Sequence, residues 1–136
     1  MNESLFNDFL VSKESLWVYD GDELVFKSSK DRLQPLLEYI DGFTPHSCKV
    51  KIFDKIAGNA AALLSIKAGC QALYSPLGSE IAIQTLDGYH IEHHITKVIP
   101  YIQRVDQQGM CPMEELSIGK SPEEFYQVLK QRAADT

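Results

Sequence analysis

Cys48-Lys49-Val50-Lys51-Ile52-Phe53 runs directly into Asp54-Lys55-Ile56-Ala57-Gly58-Asn59-Ala60-Ala61-Ala62-Leu63-Leu64, and this junction decides the fold class. Val50 and Ile52 alternate with lysines before Phe53, which is the period of a strand. The residues that follow, through Ala68 and closed by Gly69, are apolar on nearly every side and predict a helix covered from more than one direction. A strand feeding a buried helix is the α/β pattern. In open sheets of that class the ligand crevice lies beyond the carboxyl ends of the strands. Asp54 and Lys55 stand at that position, in what reads as the first turn of the helix.

Working outward, Leu16-Trp17-Val18-Tyr19 and Leu24-Val25-Phe26 flank Asp20-Gly21-Asp22-Glu23, a hairpin signal. Ahead of them Leu5, Phe6, Phe9, Leu10 and Val11 recur at helical spacing, predicting an amphipathic helix near residues 2–12 that packs on a sheet edge. Behind them Ser29 or Asp31 caps a helix carrying Leu33, Leu36, Leu37, Tyr39 and Ile40, with Pro35 in its first turn and Asp41-Gly42 at its end. Downstream, Ala72-Leu73-Tyr74 reads as a short strand, and Pro76 to Ser79 lead into a helix through Ile81, Ala82, Ile83 and Leu86. Residues 90–99 form a last long strand, 100–110 are irregular, Glu114 to Leu116 make a turn of helix, and Pro122 to Arg132 a final amphipathic helix. The predicted fold is a three-layer α/β/α sandwich with a mixed sheet, an N-terminal antiparallel hairpin followed by αβαβαβ. Residues 1–136 read as a single domain, with 119–136 as its C-terminal helical appendage.

Bulk composition narrows the partners. Hydrophobic residues at 44% and charged residues at 24% are ordinary for a globular chain, and a net charge of −6 without a Lys/Arg cluster points away from nucleic acid and membrane surfaces. Met1-Asn2-Glu3-Ser4 lacks the features of a signal peptide, so the expected location is the cytoplasm. Cys48, Cys70 and Cys111 are odd in number and widely spaced, as reduced thiols are, with Cys48 and Cys70 expected in the core.

Three stretches taken together carry a family resemblance: Asp54 to Ala62, then Pro100-Tyr101-Ile102, then Gly109-Met110-Cys111-Pro112-Met113-Glu114. Over most of residues 15–118 the chain resembles a small prokaryotic domain-of-unknown-function family, number 1893, with a cytidine-deaminase-like fold. The resemblance implies the fold and a nucleotide-like or amine-bearing ligand. It does not bring the zinc chemistry of deaminases, which needs a His or Cys at one helix start and two Cys at the next. The corresponding positions here read Ser28-Ser29-Lys30-Asp31-Arg32 and Asp54-Lys55-Ile56-Ala57-Gly58, without thiolate or imidazole. No cofactor and no metal are expected.

The candidate catalytic residues are Asp54, Lys55 and Cys111. Asp54 reads either as an N-cap carboxylate or as a base. Lys55 is disfavoured by the positive end of a helix, so it reads as an electrostatic clamp, a desolvated nucleophile or a solvent-exposed chain. Cys111 follows a Gly-containing loop and sits at a helix start, which lowers a thiol pKa. Ser29, Arg32, Gly58, Asn59, Ala60, Arg104 and Glu114 are the expected ligand-binding residues, with three structural alternatives among them, the first being that Gly58, Asn59 and Ala60 simply let a buried helix pack closely on the sheet. Glu114 can reach back to the Cys111 backbone as a capping box, and Arg104 can pair with Asp106. His90, Glu92 and His94 share one face of a strand, the solvated one.

Two functions lead, with a thiol redox protein built on Cys111 as a third. One is a small-molecule-binding or enzymatic domain that works without zinc on a nucleotide-like or amine-bearing metabolite. The other is a non-catalytic protein-interaction or homo-oligomer module, with Leu5, Phe6 and Phe9 or Phe125, Tyr126, Val128 and Leu129 as its association face.

Overall fold

Alternation along the strands builds two apolar faces, and the helices divide between them. The computed structural model describes residues 2–43 and 49–134. Cys48 and His46 lie outside them. In chain order the elements are α1 (Asn2–Val11), β1 (Leu16–Asp20), β2 (Glu23–Ser28), α2 (Gln34–Gly42), β3 (Val50–Asp54), α3 (Asn59–Lys67), β4 (Cys70–Ser79), α4 (Glu80–Gly88), β5 (Glu92–Ile99), α5 (Pro112–Ser117) and α6 (Pro122–Ala134). The strands form one sheet in the order β2-β1-β3-β4-β5. β1 is antiparallel to both neighbours, whereas β3, β4 and β5 run parallel. The architecture is the expected mixed α/β sandwich. Gly21, at φ +63°, makes the turn between the paired residues Asp20 and Glu23, a backbone conformation that side chains disfavour.

On one face Leu16, Val18, Val50, Ile52 and Leu73 pack with α2, α3, α4 and Phe125 of α6. Trp17, Tyr19, Phe53, Ala72 and Tyr74 point to the other face, where α1 supplies Phe9, Phe6 and Leu5. The Phe9 ring lies 5.3 Å from Trp17 and 5.9 Å from Phe53 between centroids. α1 therefore covers a sheet face and not the expected edge, because the aromatic row of β1, β3 and β4 is where its apolar stripe removes most area from water. Phe9 and Phe125 are fully buried. Of the residues expected on an association face, these two are therefore internal, while Leu5, Phe6, Tyr126, Val128 and Leu129 are half-buried. No helix among the described residues is long and apolar enough to cross a membrane.

α3 is buried from Asn59 through Ser65, enclosed by β4, α2, α4, α5 and α6, as its all-round apolarity requires. Its start differs from the sequence reading. Asp54 ends β3, and the helix begins only at Asn59 with Gly58 as its N-cap residue. In between, Ala57 rejoins the ladder: its N–H donates to Leu77 O at 2.8 Å, and its carbonyl accepts from Ser79 N at 3.2 Å. β4 runs for ten residues, far beyond the expected Ala72–Tyr74, and offers these groups past the end of β3. Pro76 is tolerated inside β4 because it has no partner in either register. The caps show the same locality limits. Ser79 caps α4 through Ala82 N at 3.0 Å, but α2 begins after Leu33 with no side-chain cap, so neither Ser29 nor Asp31 caps it.

Close approach of the Ala57 segment depends on Gly78. A Cβ there would lie 2.9 Å from two Ile95 carbons and 3.1 Å from Ala57 O. Gly78→Ala is expected to lose about 1–3 kcal/mol in urea unfolding, the usual penalty of overpacking. Gly42→Ala, which meets nothing within 4 Å, is the control and should change little.

Candidate functional site

Asp54 closes β3 at the carboxyl end of the parallel strands and borders a cleft of about 850 Å³. Only 8% of Asp54 is exposed. Its hydrogen bond from Ile56 N is long, 3.4 Å. Burial pushes the carboxyl up to about 7, against a smaller lowering by the Ile56 and Lys55 amides. A carboxyl poised there can give or take a proton near neutrality.

Lys55 also borders the cleft, yet its ammonium is committed elsewhere. Nζ donates to Ser12 O at 3.0 Å and Glu14 O at 2.9 Å and sits 4.7 Å from the Phe9 ring centroid. The lysine serves the carbonyls that follow α1, where a cation is favoured by the helix dipole and the exposed C=O groups. It is not in the first turn of α3 at all. Its ammonium therefore faces the carbonyls of Ser12 and Glu14, not the start of α3.

Glu114 is the most consequential side chain that sequence reasoning assigned differently. It is almost fully buried, and its two oxygens accept from separate backbone amides: Oε1 from Asn59 N, the first amide of α3, and Oε2 from Ile102 N at 2.8 Å. It does not fold back onto Cys111 as a capping box. α3 is capped by a carboxylate 55 residues away in the chain, a favourable site for negative charge. Gly58 makes room for it, since a Cβ there would lie 2.9 Å from Oε1 and 2.7 Å from Ile102 Cγ1.

Residues 102–111 form a small hairpin. Cys111 N donates to Ile102 O at 2.7 Å, Arg104 N to Gly109 O at 2.8 Å, and Gln103 bridges Met110. Arg104 pairs with Asp106 at 3.2 Å, as the sequence suggested. Val105, 95% exposed, and Ile56, 51% exposed, both border the cleft. Cys111, partly exposed, borders it as well.

Of the expected site residues, Asp54, Lys55, Cys111, Arg32, Gly58, Ala60, Arg104 and Glu114 border one cleft. Arg32 holds a left-handed backbone, φ 61°. Ser29 and Asn59 are not on its wall. Asn59 donates to Ser117 Oγ at 2.9 Å and accepts from Thr85 Oγ1, so it ties α3 to α5 and α4. The apolar walls, Ile56, Ile102, Val105 and Met113, were not singled out from sequence. Ile102 and Val105 carried one signal, large apolar residues in the stretch 100–110 that reads as irregular, whereas Ile56 read as part of the helical run after β3. On the far face His94 stacks on Tyr74 at 4.6 Å and pairs with Glu92 at 2.6 Å.

Two expectations test these assignments. Replacing Glu114 with Gln leaves one acceptor for two buried amides, and should cost about 1–3 kcal/mol in urea unfolding. Asp54 acts in the opposite sense. Its folded pKa is raised above the unfolded value, so the native state holds more protons and the chain loses stability as pH climbs from about 4 through about 7. Asp54→Asn should therefore melt higher than wild type at pH 8, by up to ~4 kcal/mol as an upper bound, with the gap closing towards pH 4.

Among solved structures, the crystal structure of a DUF1893 family protein (TM1506) from Thermotoga maritima resembles this chain with a TM-score of 0.85 at 25% identity, covering 96% of this chain and 88% of that one. No curated protein matches. The profile of the family described as Domain of unknown function (DUF1893) matches residues 6–132. The whole sheet, the Asp54 strand end and the Cys111–Glu114 segment fall within that match, and the chain belongs to the DUF1893 family.

Proposed function

We propose that this protein binds, and acts upon, a small nucleotide-like or amine-bearing metabolite in the Asp54 cleft, as a zinc-independent domain of deaminase-like architecture in the cytoplasm. The observation that carries the reading is the meeting of two remote sequence motifs on one cleft, Asp54 from the end of β3 and Cys111 with Glu114 from α5 and its entrance. The order helix, hairpin, αβαβαβ, with the sheet arranged 2-1-3-4-5, supports the deaminase likeness. That likeness would imply a zinc centre, but the donors do not fit one. Glu114 has both oxygens engaged by backbone amides, and no group of three His, Cys, Asp or Glu side chains suited to a metal occurs among the described residues.

Asp54 is the acid–base group in this reading, because its carboxyl changes charge near neutral pH. Cys111 supplies a thiol within the same space. Cys70 does not compete with it: Cys70 is buried in the core, and burial pushes its thiol up to about 12. The interaction-module alternative has less support, since Phe9 and Phe125 are internal.

A thermal-shift screen of nucleosides and small amines, run beside iodoacetamide labelling of a Cys48→Ser background, tests the proposal. Hits should protect Cys111 from alkylation and lose their shift in Asp54→Asn, while Cys70 labels only on unfolding. Absence of any hit, together with a mass that rises with protein concentration, would favour the interaction module instead.

A further inference from the structure

The cleft carries an asymmetry of charge that bears on what it accepts. The usual place for an anion at a sheet crevice is the N-terminal end of the following helix. In this chain that place is taken. The Glu114 carboxylate accepts the first amide of α3 and fills the space left by Gly58, so a phosphate arriving there would meet a resident negative charge.

Of the cations around the cleft, Lys55 has turned its ammonium to Ser12 O and Glu14 O, and Arg104 is paired with Asp106. Asp31 and Arg32 contribute one charge of each sign beside Leu33 on the wall. Asp54 remains. It is more than nine-tenths buried, forms no ion pair among the described residues, and is met by the backbone amides of Ile56, at 3.4 Å, and Lys55. The surrounding wall is apolar, from Ile56, Ile102, Val105 and Met113. Low surrounding polarity makes an unpaired carboxylate costly and its pairing with a cation correspondingly favourable.

We infer that the cleft selects a phosphate-free cationic ligand, a protonated amine or amidinium carried on an apolar body, with Asp54 as its counter-ion. The inference rests on the cleft being the ligand site, and narrows that reading to one charge class. A cation restores the missing partner of Asp54, and its apolar body covers the exposed Ile56 and Val105. A neutral analogue leaves the carboxylate unpaired, and an anion meets both Asp54 and Glu114. Binding a cation also favours ionised Asp54, whose carboxyl otherwise titrates at about 7, so affinity should strengthen as pH rises and level off above that value. No histidine among the described residues borders the cleft; its other charged side chains are Asp31, Arg32, Lys55, Arg104, Asp106 and Glu114.

Benzamidine is the probe, with benzamide as its uncharged shape match, benzoate as the anion, and cytidine beside cytidine 5′-monophosphate to isolate the phosphate. By calorimetry on the full chain, benzamidine should bind at pH 8, about thirtyfold more weakly at pH 5.5 for a carboxyl titrating near 7, and should protect Cys111 from iodoacetamide. Benzamide and benzoate should bind at least tenfold more weakly, and the phosphate should weaken cytidine. Asp54→Asn should abolish benzamidine binding. If that variant fails to fold, the wild-type pH series carries the same test. Equal or tighter binding of benzoate or the monophosphate, with Cys111 still protected, would overturn the charge assignment and leave the cleft as a ligand site. Silence from every probe, with Cys111 labelled at the free rate, would overturn both.

Discussion

The carboxylate of Glu114 is the interaction on which the arrangement of this protein depends. One oxygen receives the first amide of α3 and the other the amide of Ile102, so a single buried side chain sets the start of the central helix and the base of the 102–111 hairpin together. Neither segment satisfies those donors alone. Gly58 contributes no side chain, and the hairpin's own backbone bonds begin with Ile102 as acceptor, not donor. A buried carboxylate is tolerated where amides with a helix field behind them surround it. Around it, Asn59, Ser117 and Thr85 extend a polar chain that locks α5 and α4 to α3.

Much of the fold was legible in the residues. Alternation at Val50, Ile52 and Phe53, the Asp-Gly turn at Asp20-Gly21, and the all-round apolarity of Ala60 to Leu64 are local signals, and each produced the element it predicts. What was not legible is long-range. Asp54 reads as an N-cap because it precedes a helical run, and nothing nearby announces that Ala57 will return to the ladder with β4. Lys55 reads as misplaced at a positive helix end, yet it answers the carbonyls after α1, more than 40 residues earlier in the chain. Glu114 has the spacing of a local capping box and caps a remote helix instead. In every case the competing local partner was plausible, and tertiary geometry supplied a better one.

The candidate site shows the same division. Asp54, Cys111 and Arg32 could be picked as chemical groups, and the fold brings them to one cleft. The environment that gives Asp54 its character could not be picked. It comes from apolar side chains on three separate segments, Ile56, Ile102 and Met113, and from a neighbouring lysine whose charge points the other way. Had the Lys55 ammonium faced Asp54, the carboxyl would have been held ionised well below neutrality. The direction of one flexible side chain therefore separates a structural carboxylate from one that can exchange a proton.

Chain order gives Glu114 a further meaning for synthesis. A polypeptide leaving the ribosome has delivered all five strands and α1 to α4 before residue 114 emerges. Until then the leading amide of the innermost helix has no carboxylate to receive it, and the hairpin beside Asp54 has no anchor for the Ile102 amide at its base. The nascent chain can assemble its sheet early, but the part of the molecule suited to chemistry is completed only when the last quarter of the sequence arrives.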